Sequence, residues 1–315
     1  IGTSAVKAGI DFESAFAGVE KTVDATDEQL GNLRKGLLDM SKEIPQSAAD
    51  LSAIAESAGQ LGIETNNIEK FTKVMANLGV ATNMTSDEAA TSLARFANIT
   101  GMPQKNFDKL GSTIVALGNN LATTESEIVD MSLRIAGTGK QVGMSESQIM
   151  SFSAALSSVG IEAEMGGSAF STLLSKMQLA TDKGGEDLDK FAKVAGVSGG
   201  EFKKLFQKDA TEAVSAFLKG LNKINENGGS AISTLDDMDL SEVRMRDTLL
   251  RASSASDVFT KAMSTGTEAW KENNALTKEA NKRYETLESK IQLMKNGIQN
   301  LGIAFKDSID TELRS

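Results

Sequence analysis

Apolar residues recur at every third or fourth position along nearly the whole chain, and only two prolines in 315 residues interrupt that rhythm. Such spacing lines one face of an α-helix and does not fit a strand, whose side chains alternate with a period of two. The opening segment shows it best. Phe12, Phe16, Val19, Val23, Thr26, Leu30, Leu33, Leu37, Met40 and Ile44 form a heptad seam with one polar member. Thr26 with Gln29 has capping-box spacing, so a break is expected near Asp24–Thr26, and Pro45 ends the segment.

The same start signal recurs. Ser47/Asp50, Thr85/Glu88, Thr124/Glu127, Ser145/Gln148, Ser198/Glu201, Asp209/Glu212 and Asp239/Glu242 each pair an N-cap oxygen with an acceptor three residues on. Gly62, Gly79, Gly101, Gly118, Gly143, Gly160 and Gly196 follow the proposed helices, where a left-handed residue is wanted. Caps and glycines together predict about a dozen helices of roughly 10–18 residues joined by short turns. The fold class is all-α: many short helices in a compact, internally duplicated bundle, with a long C-terminal heptad helix.

The duplication is an ungapped shift of 81 residues that sets 54–100 on 135–181. It matches Ile54 with Ile135, Gln60 with Gln141, Gly62 with Gly143, Phe71 with Phe152, Gly79 with Gly160 and Leu93 with Leu174, among eleven identities. A helical unit burying its apolar face against a copy of itself would read this way. The expected division is therefore N-terminal heptad helices over 1–44, a duplicated helical unit over 45–181, a smaller helical lobe over 182–266 and a long helix over 267–315. In that last segment Ala280, Tyr284, Leu287, Ile291, Met294, Ile298, Leu301 and Phe305 continue a heptad seam, with mostly Lys, Glu, Asn and Gln opposite. As one helix, Thr267–Leu313 would be roughly 70 Å long, packed back on the body or continuing as a coiled coil. The chain starts without Met, and it reads as a piece of something longer.

Histidine and cysteine are both absent, which removes Ser-His-Asp triads, cysteine nucleophiles, disulfides and imidazole or thiolate metal sites. With 33 basic and 43 acidic residues the net charge is −10, which opposes nucleic-acid binding and docking on anionic lipid. The longest uncharged runs, Leu110–Thr124 and Ser147–Ile161, are too short and too polar to span a bilayer.

What remains is carboxylate chemistry, and each candidate has a plainer reading. Glu162 and Glu164, two apart on a helix, face different ways and suit a solvated turn better than a glycosidase pair. Glu186, Asp187 and Asp189 lack calcium-loop spacing and suit the N-terminus of a helix. Glu56-Ser57 has the order seen in lytic transglycosylases but lacks their downstream stretch, and the repeat carries Gly137 in place of Glu56. Gly166-Gly167 and Gly199-Gly200 lack a following Lys-Ser/Thr and a preceding strand, so they are helix turns rather than a phosphate cradle. The expectation is no catalytic residue, no cofactor and no metal.

The order of segments resembles the core region of phage tail tape measure proteins. The most specific stretch is Gly160-Ile161-Glu162-Ala163-Glu164-Met165-Gly166-Gly167-Ser168-Ala169-Phe170, followed by Leu173, Leu174 and Met177. Ala58–Ile63, Phe71–Leu78, Thr85–Ala90, the opening Asp11–Val19 and the closing Leu287–Phe305 also look alike. The resemblance implies a structural, non-enzymatic component of the virion tail, present in the host cytoplasm during assembly. It would act in tail assembly, length determination and genome delivery. Its partners would be tail tube and tail tip proteins, tail assembly chaperones and further copies paired through heptad helices. A Glu-dependent cell-wall glycosidase and a helical membrane-active or adaptor module are the alternatives.

Overall fold

The computed structural model describes residues 2–314, with side chains over 6–309. Among these the chain is 82% helical, with seventeen α-helices and no strand. In order they are α1 (Gly2–Thr22), α2 (Asp27–Met40), α3 (Ala48–Gln60), α4 (Thr65–Ala81), α5 (Ser86–Thr100), α6 (Phe107–Asn120), α7 (Glu125–Gln141), α8 (Glu146–Ser158) and α9 (Ala163–Lys183). There follow α10 (Glu186–Ala195), α11 (Gly199–Lys208), α12 (Ala210–Glu226), α13 (Ala231–Asp236), α14 (Val243–Ser253), α15 (Ser256–Glu272), α16 (Ala275–Tyr284) and α17 (Leu287–Arg314). The all-α class is as the periodicity requires.

The caps explain most boundaries. Thr26, Ser47, Thr124, Ser145 and Ser198 form reciprocal boxes with their third residues, and Thr85 does so with Glu88. Asp209 caps α12 one way only, accepting from the Thr211 and Glu212 amides. Asp239 does not cap α14 as its spacing to Glu242 suggests. It stands in the left-handed region (φ 54), and Glu242 itself caps α14 by accepting the Met245 amide. Gly62, Gly101, Gly143, Gly160 and Gly196 take positive φ as expected. Gly79 and Gly118 do not; they lie inside α4 and α6. A Cβ there would meet Ser86 Oγ at 2.2 Å or Glu125 Oε1 at 2.6 Å, so each lets the start of the next helix fold back closely.

The chain divides into two units: 1–94, 103–111 and 274–315, and then 95–102 with 112–273. In the first, α1 packs on α3 and α17, and α4 packs on α3 and α16. The N-terminal seam is spent inside this unit, since Phe12, Phe16, Val19, Val23, Leu33, Leu37, Met40 and Ile44 are all buried. Phe71 meets Phe107 edge-on at 4.8 Å, and the Tyr284 hydroxyl donates to Asn77 Oδ1. In the second, α8 is buried on nearly every side, between α7 and α15. Phe152 on α8 packs against Phe170 and Phe259, while Phe191 packs against Phe202 and Phe217.

Under the 81-residue shift, the end of α3 at Gln60 falls on the end of α7 at Gln141, and the start of α4 at Thr65 on the start of α8 at Glu146. Between them Gly62 (φ 79) and Gly143 (φ 83) make the same turn. The next turn differs, because Gly160 is left-handed while Gly79 stays helical.

The C-terminal segment is not one helix from Thr267. Asn273 adopts φ 51 and ends α15, and the Thr286 hydroxyl accepts the Ser289 amide to start α17 afresh after α16. The heptad helix proper is α17, which at 28 residues is the longest in the chain.

Candidate interaction surface

The sequence-derived carboxylate candidates do not converge. The Glu56 carboxylate lies against Gly18 of α1, where an added Cβ would meet Oε2 at 2.1 Å, and it accepts from Gln60. Ser57 donates instead to Asp87. Glu162 is the N-cap residue of α9, while Glu164 edges a cleft of about 390 Å³ in the second unit with Ser168, Thr172, Asp239, Glu242 and Arg244. Glu186, Asp187 and Asp189 occupy the first turn of α10. Gly166 and Gly167 are buried inside α9, making room for Met131 and Arg134 of α7. Among the described residues no group of carboxylates is placed to hold a metal ion.

The resolved pKa shifts sit mostly in helix caps and short-range ion pairs. Glu88 and Glu127 are held below the usual carboxylate range, chiefly by the N–H groups of Thr85 and Thr124. Glu201 is held low by the Ser198 hydroxyl and then its N–H. Hydrogen bonding to Lys42 lowers Asp39, and hydrogen bonding to Glu186 raises Lys190. Burial alone raises Tyr284. These patterns serve helix ends rather than a shared reacting centre.

The distinctive surface is on α17. Leu287, Ile291, Met294, Ile298, Leu301, Phe305 and Ile309 are all exposed, with Leu287 at 75% and Leu301 at 73%. At about 100° per residue these seven fall on one face, and Asn296, Asn300, Ile303 and Asp307 fall on the face about 180° away. That second face is the docked one. Asn296 is fully buried, and its Nδ2, with two hydrogens to share, lies within hydrogen-bond distance of the carbonyl oxygens of Ser41 (2.9 Å), Ile44 (3.2 Å) and Gln46 (2.7 Å). Gln292 donates to Asn296 Oδ1, and Asn300 donates to Ser41 Oγ at 2.8 Å. Arg34 holds Asp307 through both carboxylate oxygens and stacks on Phe12, and Lys306 pairs with Glu13 at 2.6 Å. The helix is therefore attached by a mainly polar side, with Ile303 buried in it, and presents its heptad seam outward. The heptad spacing was legible in the sequence. The clasp was not, because an Asn pair on a polar helix face looks the same whether it meets water or carbonyls.

An all-α chain with an outward apolar seam presents a surface suited to protein–protein contact. Residues 34–238, well over half of the chain, match the model of the phage-related minor tail protein family. The chain belongs to that family, and its role is that of a structural protein of the phage tail. No curated protein and no solved structure gives a match. The α17 seam lies C-terminal to the matched region. No helix among the described residues is long and apolar enough to cross a membrane.

Proposed function

We propose that this chain is a folded, non-catalytic domain of a tail tape measure protein that pairs with further copies of itself through the outer seam of α17. The observation that carries the reading is the run from Leu287 to Ile309, which keeps heptad spacing yet stays exposed at all seven seam positions. A heptad face is complementary to itself, so a second copy is the occupant it fits. Full burial of one such side chain is worth about 1.5–3 kcal/mol, which makes a helix-long apolar face costly to leave in water. The buried N-terminal seam has no such capacity left.

Tail tube and tail tip proteins and the tail assembly chaperones are the other partners in this reading, met in the host cytoplasm before the domain enters the virion. The domain acts folded. A single helix of 315 residues would span roughly 470 Å, whereas this sequence places a cap or a glycine at most helix ends. We take 54–100 and 135–181 as two copies of one ancestral unit, followed by the lobe over 182–266, with tail-length measurement carried by heptad sequence outside these bodies.

Two experiments test this. Light scattering across a concentration series should show association that Leu301→Glu with Phe305→Glu weakens at least about 100-fold, with helicity unchanged. A parent chain that stays monomeric overturns the pairing. Electron microscopy of particles whose parent gene lacks these codons should show no tails, or tails of unregulated length. Tails uniformly shorter by about the rod length would mean that the segment is stretched out as part of a ruler.

A further inference from the structure

We propose that Asn296 is the positioning residue that turns the apolar seam of α17 outward. The consequence for assembly rests on the pairing proposed above, but the test does not.

An amphipathic helix lying on a protein body ordinarily buries its apolar stripe. Here the seven-residue stripe is exposed and the docked side is mainly polar, with Ile303 its buried apolar member, so rolling α17 by about half a turn would exchange one buried Ile for the whole seam. The hydrophobic effect favours that competing arrangement. Something at the docking surface must disfavour it. The carbonyls of Ser41, Ile44 and Gln46, in the turn between α2 and α3, converge on the Asn296 amide nitrogen. Ser41 and Ile44 are buried residues. The Ile44 oxygen also accepts the Gln46 N–H, but a Leu, Ile or Met brought to this place by rolling has no hydrogen to donate to those of Ser41 and Gln46, and would shield them from water as well. Gln292 fixes the amide the right way round by donating to its oxygen, 2.9 Å away. The flanking charges agree in phase. With the Asn296 face inward, Asp307 pairs with Arg34 and Lys306 with Glu13.

Asn296 thus acts through carbonyl satisfaction on the orientation of a face it does not belong to. A carboxamide suits this task. A carboxylate of the same shape accepts hydrogen bonds and would repel the carbonyls, and a methyl group offers them nothing.

The absence of cysteine allows a direct test, because a single introduced thiol is the only one present. Leu301→Cys reports the outer face and Ile303→Cys, at a position 3% exposed, the inner one. In dilute parent chain the 301 thiol should react quickly with a maleimide and the 303 thiol slowly. With Asn296→Ala, or with the milder Asn300→Ala, the order should invert, each rate moving at least about tenfold. Circular dichroism checks that the helices remain. Unchanged rates overturn the proposal. So does fast reaction at both positions, which would make the clasp a simple anchor, and so does loss of the fold in both variants. A rolled helix also predicts that the variant no longer associates. A monomeric parent would remove the pairing reading while leaving the thiol measurement intact.

Discussion

Gly220 in α12 faces the carbonyl of Val194 in α10 so closely that a methyl group on the glycine would sit 1.7 Å from that oxygen. Glycine ordinarily weakens a helix interior by about 0.5–1 kcal/mol relative to alanine. Here the close approach of two backbones reverses the sign, because a main-chain carbonyl cannot swing aside as a side-chain tip can. Gly220→Ala should destabilise the second unit by about 3 kcal/mol. Urea unfolding followed by the single tryptophan, Trp270 of α15, reads that unit directly. A variant that unfolds at the parent midpoint would show that the α10–α12 crossing is looser than described.

Gly31 and Gly137 give the opposite expectation. Both lie inside helices, α2 and α7, and an added Cβ at either meets nothing within 4 Å. Both are exposed. Alanine at each should therefore stabilise by about 0.5–1 kcal/mol, through helix propensity and a less flexible unfolded chain. The residues lie in different units and share no neighbour, so the two gains should add when both are replaced. A loss of stability at either position would mean that its glycine serves a contact absent from this structure.

What the sequence disclosed, and what it hid, follows the range of the interactions. The reciprocal boxes at Thr26, Ser47, Thr85, Thr124, Ser145 and Ser198 span three residues, so their spacing alone reveals them. Gly62 and Gly143 mark turns because a left-handed residue is a local demand. Gly79 and Gly118 look like turn glycines in sequence but lie inside α4 and α6, because their reason, close approach of the next helix, is tertiary. Asn273 ends α15 in the left-handed region without glycine, which let the C-terminal helix look longer than it is. The outward direction of the α17 seam depends on carbonyls contributed some 250 residues earlier in the chain, and no window of sequence contains both sides.

Acid should act on the caps. Thr85, Thr124 and Ser198 donate their N–H groups to the carboxylates of Glu88, Glu127 and Glu201 at 2.8–2.9 Å. Folding thus lowers these pKa values from an ordinary 4.5. A depressed carboxylate pKa contributes stability that is complete above the unfolded-state value and is lost as pH falls through the folded one. The stability of the parent should decline below about pH 4.5 partly for this reason. Glutamine at all three positions keeps the reciprocal hydrogen bond without the titration, as Gln29 and Gln148 already do. The triple variant should therefore lose less stability between pH 5 and pH 3. Superimposable pH profiles for parent and variant would rule the caps out as the acid-sensitive groups.

Tyr284 offers the complementary test at high pH. It is the only tyrosine in the chain, so its ionisation can be followed by ultraviolet absorbance without overlap from other tyrosines. Its ring lies between α16 and α4, with the hydroxyl donating to Asn77, and burial pushes its pKa well above the ordinary 10.0. Leu276 and Ala280, on the same helix, are buried, and Tyr284 is half-buried. The sign of the linkage follows. A raised folded-state pKa supplies stability that is fully present below pH 10 and disappears as pH rises toward the folded value, because the unfolded chain then releases the proton more readily. The phenol should stay neutral through pH 11 while the helices persist, and should ionise together with loss of the first unit. Asn77→Ala removes the acceptor but not the burial, so it should weaken the unit by about 1 kcal/mol or more while leaving the phenol hard to ionise. A phenol that titrates near pH 10 with the helical signal intact would place Tyr284 in water, and with it would go the docking of α16 that fixes where the free heptad helix begins.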